Sequence, residues 1–313
     1  NYWFDHATGR ARATRFQLSH PEYMLGYGNR NFSPPPCATF DFAHEEVRRH
    51  RLAVIEEIGE RYELDGLELN CCRGYHLFRS DAMETGREHM IGFLNQAKEI
   101  LHRAGTRRGR PIKLVIRFHV DAPIQASQAM EYDQGLDTLR CIREEVVDMV
   151  VPVLPVTTTE PHRYLERYVD AARGSSCQVF AGARNCNHDD TAMEPVTGGS
   201  MSRPITRELL RTAICAWSDA GVDGIYFWWP RVDPEHANWS LLRELRCDRA
   251  IKRGDKHYVI AQDAPQILAI GVNCARFKVV DDVESVWSQG HLQETRLKIL
   301  IGNLKPGDRI EYR

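Results

Sequence analysis

A unit made of an amphipathic helix and a following apolar strand recurs five times along this chain. The first copy is FDFAHEEVRRHRLAVIEEIGERY (40–62), followed by LDGLELN (64–70). The later strands are predicted within IKLVIRFHV (112–120), VDMVVPVLP (147–155), CQVFAGAR (177–184) and VDGIYFWWP (222–230). Strands that are apolar throughout, rather than alternating, are typical of a parallel sheet covered on both faces. The repeat therefore predicts an α/β fold with right-handed crossovers.

Strands in this series can form an open doubly wound sheet or most of a barrel. No GxGxxG or GxxxxGK loop follows any of them, which argues against a nucleotide-binding open sheet. Each strand also ends in polar or aromatic residues, and barrel enzymes build their sites from the C-terminal ends of several strands. We therefore predict a TIM-type (β/α) barrel. Residues 1–40 lack the helix–strand pattern and are predicted as a long loop, so we expect the barrel to lack its N-terminal strands in this chain.

The pattern changes after Cys247. KHYVIAQ, ARFKVVDD and TRLKILIG have the length and patterning of short strands, and KPGD is a turn signal. We predict two domains. Residues 1–248 form the N-terminally incomplete barrel, and residues 255–313 form a C-terminally incomplete, β-rich accessory domain, a partial β-sandwich.

Charge and cysteine usage exclude several classes of protein. A net charge of -2 gives no reason to expect nucleic acid as a partner, and the basic run at 103–110 is predicted as a solvated connector. The apolar runs are too short to span a bilayer, so no membrane insertion is expected. The nine cysteines are an odd number without framework spacing, which indicates free, mostly buried thiols. The chain starts at Asn1 rather than Met, so we expect its true N-terminus to be absent and its location cannot be predicted from a leader.

The strand LDGLELN carries an acid and an amide. Side chains alternate along a strand, so Glu68 and Asn70 share one face while Leu67 and Leu69 share the other. The leucines are expected to face the helices. A carboxylate inside a barrel needs a nearby donor, and Arg117 on the next strand is the predicted partner. The pair is either an internal salt bridge that sets the register of the sheet or part of a ligand-facing site.

The segment FDFAHEEVRRHRLAVIEEIGERYELDGLELNCCR (40–73) resembles glycoside-hydrolase-like TIM-barrel proteins related to family 10. In that family an HPEVR helix start leads to a strand such as YDVDGIELDFMR. VDMVVPV, VFAGAR, GVDGIYFWW and the β-rich segment beginning DKHYVI continue the similarity more weakly. The resemblance implies a sugar-directed barrel with an accessory β-sandwich, and it is compatible with an extracytoplasmic location.

Two positions depart from related motifs. Asn70 stands where the family usually has Asp, and an amide cannot act as nucleophile, acid or base. Cys72 stands where a chitinase-type motif would place its proton-donating Glu, which removes a chitinase mechanism. A catalytic interpretation therefore has to take its second acid from another strand.

Glycoside hydrolysis requires two carboxylates on either side of the scissile bond. Glu68 is the first candidate. Apolar surroundings would favour its protonated form, whereas a neighbouring arginine would favour the carboxylate. Four acids are candidates for the second role, and Glu160 is favoured narrowly because it follows the strand VDMVVPVLP: Asp121, Glu160, Glu194 and Asp233.

Substrate contacts are predicted at the strand ends. Trp228 and Trp229 are adjacent, so one indole is expected at the rim, where a sugar ring can stack on it. Arg184 and Asn185 carry donors for hydroxyl or carboxylate groups. The full predicted set is Asn70, Arg73, His76, Arg117, His119, Asp121, Arg184, Asn185, Trp228 and Trp229. No HxH or HExxH spacing occurs, so neither a metal nor another cofactor is predicted.

These features predict a carbohydrate-active barrel that works as a glycoside hydrolase on an oligo- or polysaccharide. Two alternatives remain. A non-catalytic carbohydrate-binding barrel would keep the cleft without an effective acid pair. A lyase or hydrolase acting on acidic polysaccharide would use His119 and the arginines.

Overall fold

The structure is a computed structural model, and it describes only part of the chain. The described residues are 3–5, 10–12, 14–25, 40–72, 77–120, 135–153, 162–184, 186–187, 203–204, 207–228, 251, 253–255, 263–264 and 277–278. The chain divides into two compact units. The first comprises residues 1–120, 128–152 and 170–180, and the second comprises residues 121–127, 153–169 and 181–313.

Helices and strands alternate through most of the described part. The α-helices are α1 (Arg15–Ser19), α2 (Glu45–Arg61), α3 (Met83–Arg108), α4 (Thr138–Arg143), α5 (His162–Ala172) and α6 (Arg207–Asp219). The strands are β1 (Trp3–Asp5), β2 (Arg10–Arg12), β3 (Gly66–Asn70), β4 (Lys113–His119), β5 (Met149–Val153), β6 (Gln178–Arg184), β7 (Cys186–Asn187), β8 (Arg203–Pro204), β9 (Gly224–Trp228), β10 (Asp263–Ala264) and β11 (Phe277–Lys278). Short 3₁₀ helices span Pro21–Tyr23 and Ser80–Ala82.

The main sheet has five strands in the order β3-β4-β5-β6-β9, which is also their order along the chain. Strands β3 and β4 are parallel, with Gly66 opposite Lys113 and Asn70 opposite Arg117. The predicted α/β fold with a parallel sheet is therefore confirmed. Each of its strands lies within a segment that the sequence pattern predicts.

The two faces of β4 differ in burial. Leu114, Ile116 and Phe118 are fully buried and share one face of β4, while α3 packs against β4 and α2 against α3. Register places Leu67 opposite Leu114 and Leu69 opposite Ile116, so the leucines of β3 lie on the same face as these buried residues. Burial of these apolar side chains supplies the main driving force for packing the helices on the sheet.

The ends of the two long helices follow simple electrostatics and backbone geometry. Helix α2 has Glu45 and Glu46 in its first turn and Arg61 in its last, each of which complements the helix dipole. Helix α3 ends at Gly109, whose φ of 70° closes the helix in a left-handed conformation that glycine adopts at little cost.

Phe78, which follows β3 in the chain, packs against α3. This ring is fully buried between Gly86 of α3 and Gly135, and a Cβ built on Gly86 would lie 2.5 Å from it. A Cβ on Gly135 would also collide with the ring. The main chain is held there as well, because Phe42 N–H donates to the carbonyl of Leu77 at 2.9 Å.

The N-terminal region differs from the predicted loop. Strands β1 and β2 form a short antiparallel pair, and α1 begins with a capping box in which Thr14 and Gln17 bond each other's backbone N–H groups. The TRFQ sequence carries that signal. Phe16 then stacks on His50 of α2, with ring centroids 4.1 Å apart.

The predicted β-rich domain at 255–313 lies almost entirely outside the described residues. Its described part includes the antiparallel pair β10–β11, in which Asp263 is opposite Lys278. The β-sandwich stays a prediction.

Candidate active site

A carboxylate and a guanidinium meet on the face of the sheet opposite Leu114 and Ile116. Arg117 Nε donates to Glu68 Oε1 at 2.8 Å. The two residues are diagonal neighbours, because Glu68 lies opposite Val115 and Arg117 lies opposite Asn70. The predicted contact between Glu68 and Arg117 is present.

The two partners differ in their access to solvent. The Arg117 side chain is 5% exposed, whereas that of Glu68 is 24% exposed. An arginine at that depth loses most of its hydration, and the carboxylate compensates for the loss through charge and hydrogen bonding. The pair therefore presents the oxygens of Glu68 to the surroundings and keeps the cation behind them.

Two hydrogen bonds shape the exit from β3. Cys71 N–H donates to the carbonyl of Arg117 at 2.7 Å and extends the pairing of β3 with β4. Cys72 N–H donates to Asn70 Oδ1 at 2.9 Å, which is the contact of an Asx turn. Sequence reasoning missed this turn, although an Asn at a strand end, two residues before its bonded N–H, is the usual signal for one.

The Cys71 thiol lies beside this pair. Burial raises the pKa of Cys71 to about 12, Arg117 lowers it in part, and Glu68 raises it further. A thiol with such a pKa stays protonated at neutral pH and is a poor nucleophile. Five cysteines are free thiols: Cys71, which is half-buried, and the buried Cys72, Cys141, Cys177 and Cys215.

The structure brings together three of the predicted site residues: Glu68, Asn70 and Arg117. For three others only the backbone is described, and each is the last residue of its strand: His119 of β4, Arg184 of β6 and Trp228 of β9. The remaining predicted residues lie outside the described residues: Arg73, His76, Asp121, Glu160, Asn185, Glu194, Trp229 and Asp233.

The basic run at 103–110 makes contacts within the chain. Arg107 bonds Glu60 at 3.0 Å, and Arg110 bonds Asp65 at 2.9 Å. Arg108 donates to the carbonyls of Tyr62 and Glu60. Residues 103–108 form the end of α3, so most of the predicted connector is helical, and these arginines hold the α2–β3 connection.

Two kinds of site are absent from the described ranges. No group of three or more His, Cys, Asp or Glu side chains there is placed to hold a metal ion. None of the helices described combines the length and the hydropathy needed to cross a bilayer.

No protein-family model and no curated protein sequence matches this chain. Solved structures do show similarity. A glycoside hydrolase family 18 N-acetylglucosaminidase from Paenibacillus barengoltzii is 14% identical, with a TM-score of 0.46 over 66% of this chain and 76% of that one. The PgaB (BpsB) glycoside hydrolase domain from Bordetella bronchiseptica is 12% identical, with a TM-score of 0.45 over 69% of this chain and 66% of that one.

Bee venom hyaluronidase, solved in complex with a hyaluronic acid tetramer, is 14% identical, with a TM-score of 0.35 over 80% of this chain and 83% of that one. All three matches combine low identity with a low TM-score, so none of them assigns this chain to a family. The resemblance to proteins related to family 10 receives no support from them.

Proposed function

We propose that this chain is a carbohydrate-active (β/α) barrel protein that hydrolyses glycosidic bonds. The observation that carries the proposal is Glu68, a partly exposed carboxylate on the parallel sheet that is held by a buried arginine. Such a carboxylate is oriented and charged, which suits both contact with sugar hydroxyls and glycoside chemistry.

The order of the strands supports a barrel rather than a doubly wound sheet. A doubly wound sheet reverses its strand order at a switch point, where the ligand binds. Here β3, β4, β5, β6 and β9 follow one another without a reversal. Successive right-handed crossovers in such a series place every helix on the same face, and the sheet curls toward the other. The side of the sheet that carries Glu68 is then the inside of the barrel.

The two acids have different roles. Glu68, which the 2.8 Å contact with Arg117 holds in place, serves as the nucleophile or the base. Glu160, which follows β5 in the sequence, serves as the acid that donates a proton to the leaving oxygen. Glu68 then either attacks the anomeric carbon or removes a proton from the attacking water.

A non-catalytic carbohydrate-binding barrel is the second candidate. The observation that favours it is Asn70, an exposed amide next to Glu68 on the same face, where an acid would be needed for a local carboxylate pair. In that case Glu68 and Asn70 bind hydroxyls, and no bond is broken.

A reducing-sugar assay on the full chain tests the proposal. The substrates are xylan, a mixed-linkage β-glucan, chitin oligosaccharides and polygalacturonate. We expect Glu68→Gln and Glu160→Gln each to lower turnover by about 10²-fold or more while oligosaccharide binding persists. Glu99→Gln, which changes an exposed acid of α3, is the matched control and should leave turnover unchanged. Binding without turnover in the unmodified chain would establish the second candidate, and the absence of both would reject a role with carbohydrates.

A further inference from the structure

Asn70 has a fixed amide orientation. Its Oδ1 accepts from Cys72 N–H at 2.9 Å, and because an N–H can only donate, the atom that faces it has to be the oxygen. Within the described part of the chain, no acceptor bonds the Nδ2 group, and the residue is exposed. The amide therefore offers its two N–H donors outward.

Glu68 has the complementary arrangement. One of its oxygens accepts from Arg117 Nε, and among the described residues the carboxylate makes no other hydrogen bond. Glu68 and Asn70 are two residues apart on β3, so their side chains leave the same face with Cα atoms roughly 6.6 Å apart. The face thus carries an acceptor and a donor side by side.

Among the described residues of this arrangement, the accessible charge is the negative charge of Glu68. Arg117 is almost fully buried, so its guanidinium contacts the Glu68 carboxylate and is not accessible to a ligand. An anionic ligand would meet the carboxylate first and be repelled, whereas a hydroxyl group can donate to it.

We propose that Asn70 Nδ2 donates to a hydroxyl of an uncharged sugar, next to the substrate group on which the Glu68 carboxylate acts. The inference rests on the proposed function and specifies its substrate class. It selects neutral sugars over acidic polysaccharides, and it makes Asn70 a specificity-determining residue rather than the remnant of a lost acid.

Two substitutions distinguish the role of Asn70 Nδ2 as a donor to the ligand from the role of Asn70 Oδ1 in the turn. Asn70→Asp keeps an oxygen for Cys72 N–H but replaces the donor by an anion, whereas Asn70→Ala removes both functions. Asn70→Asp should therefore leave the melting temperature of the full chain nearly unchanged, while Asn70→Ala should lower it by roughly 2 to 4 °C. Asn95→Asp adds the same charge at an exposed position of α3 and is the control.

Binding is measured with matched pairs of neutral oligosaccharides and their C6-carboxylate counterparts. We expect the unmodified chain to bind the neutral member on the order of 10-fold more tightly, and Asn70→Asp to lose about 10-fold of that affinity. Asn95→Asp should bind as the unmodified chain does.

The outcomes that overturn the inference differ from those that overturn the proposed function. Tighter binding of the carboxylate members by the unmodified chain would overturn the selectivity for neutral sugars. Full affinity in Asn70→Asp, together with loss of affinity only in Asn70→Ala, would show that Asn70 acts through the turn alone. Sugar binding, and with it the proposed function, would then stand. If no oligosaccharide of either kind binds, the proposed function fails and this inference fails with it.

Discussion

Replacing Glu68 by Gln tests whether the buried arginine depends on its carboxylate. Gln nearly preserves the volume of Glu and keeps an oxygen within reach of Arg117 Nε, so the 2.8 Å hydrogen bond can persist while the charge is lost. In this variant the charge of Arg117, which is 5% exposed, faces a neutral amide in place of the Glu68 carboxylate.

The magnitude follows from the geometry of the pair. Two unit charges roughly 4 Å apart interact by about 4 kcal/mol at an effective dielectric constant near 20. The neutral hydrogen bond to Gln retains about 1 kcal/mol of that interaction. We therefore expect the free energy of unfolding to fall by about 3 kcal/mol, the lower end of the range for breaking a buried pair. The partial exposure of Glu68 places the estimate there rather than higher.

Urea unfolding followed by far-ultraviolet circular dichroism measures the change, and two further variants make the interpretation specific. Asp65→Asn breaks the exposed pair with Arg110 and should have little effect, because surface ion pairs contribute little. The double variant Glu68→Leu with Arg117→Leu should be close to the unmodified chain, since apolar side chains can replace a buried pair without loss. A fall below about 1 kcal/mol in Glu68→Gln would refute the idea that the carboxylate is needed to keep Arg117 buried.

Two more predictions concern packing and pH. Gly86→Ala should destabilise the chain by roughly 1 to 3 kcal/mol, because the added Cβ would lie 2.5 Å from the Phe78 ring. Gly92→Ala on the same helix should stabilise the chain by up to about 1 kcal/mol, because its added Cβ meets nothing within 4 Å. Equal urea midpoints for the two variants would contradict this. Burial, and secondarily Arg51, lowers the pKa of His50, so the unfolded chain binds the proton more readily and stability should fall as the pH drops below about 6.5. His50→Gln should flatten the dependence of the melting temperature on pH in that window, and an unchanged slope would exclude this histidine as a cause.

The sequence by itself determined the class of fold and the direction of side chains. The recurring helix–strand unit predicted a parallel α/β sheet, because unbroken apolar strands alternating with amphipathic helices have few other ways to bury their surfaces. Alternation along LDGLELN placed Glu68 and Asn70 on one face and the leucines on the other. These properties are local, since they depend on the period of a strand or helix, and a period is visible in consecutive residues.

Tertiary structure decided how deeply each polar side chain is buried, which group it contacts and which of its atoms form hydrogen bonds. Glu68 and Arg117 are 49 residues apart, and only the packed sheet makes the arginine the buried member and the carboxylate the accessible one. Asn70 could be named as a site residue from its position, but the turn that commits its oxygen to Cys72 N–H appears only in the folded backbone. The sequence marks which groups can interact, whereas exposure and hydrogen-bond geometry depend on segments that meet only after folding.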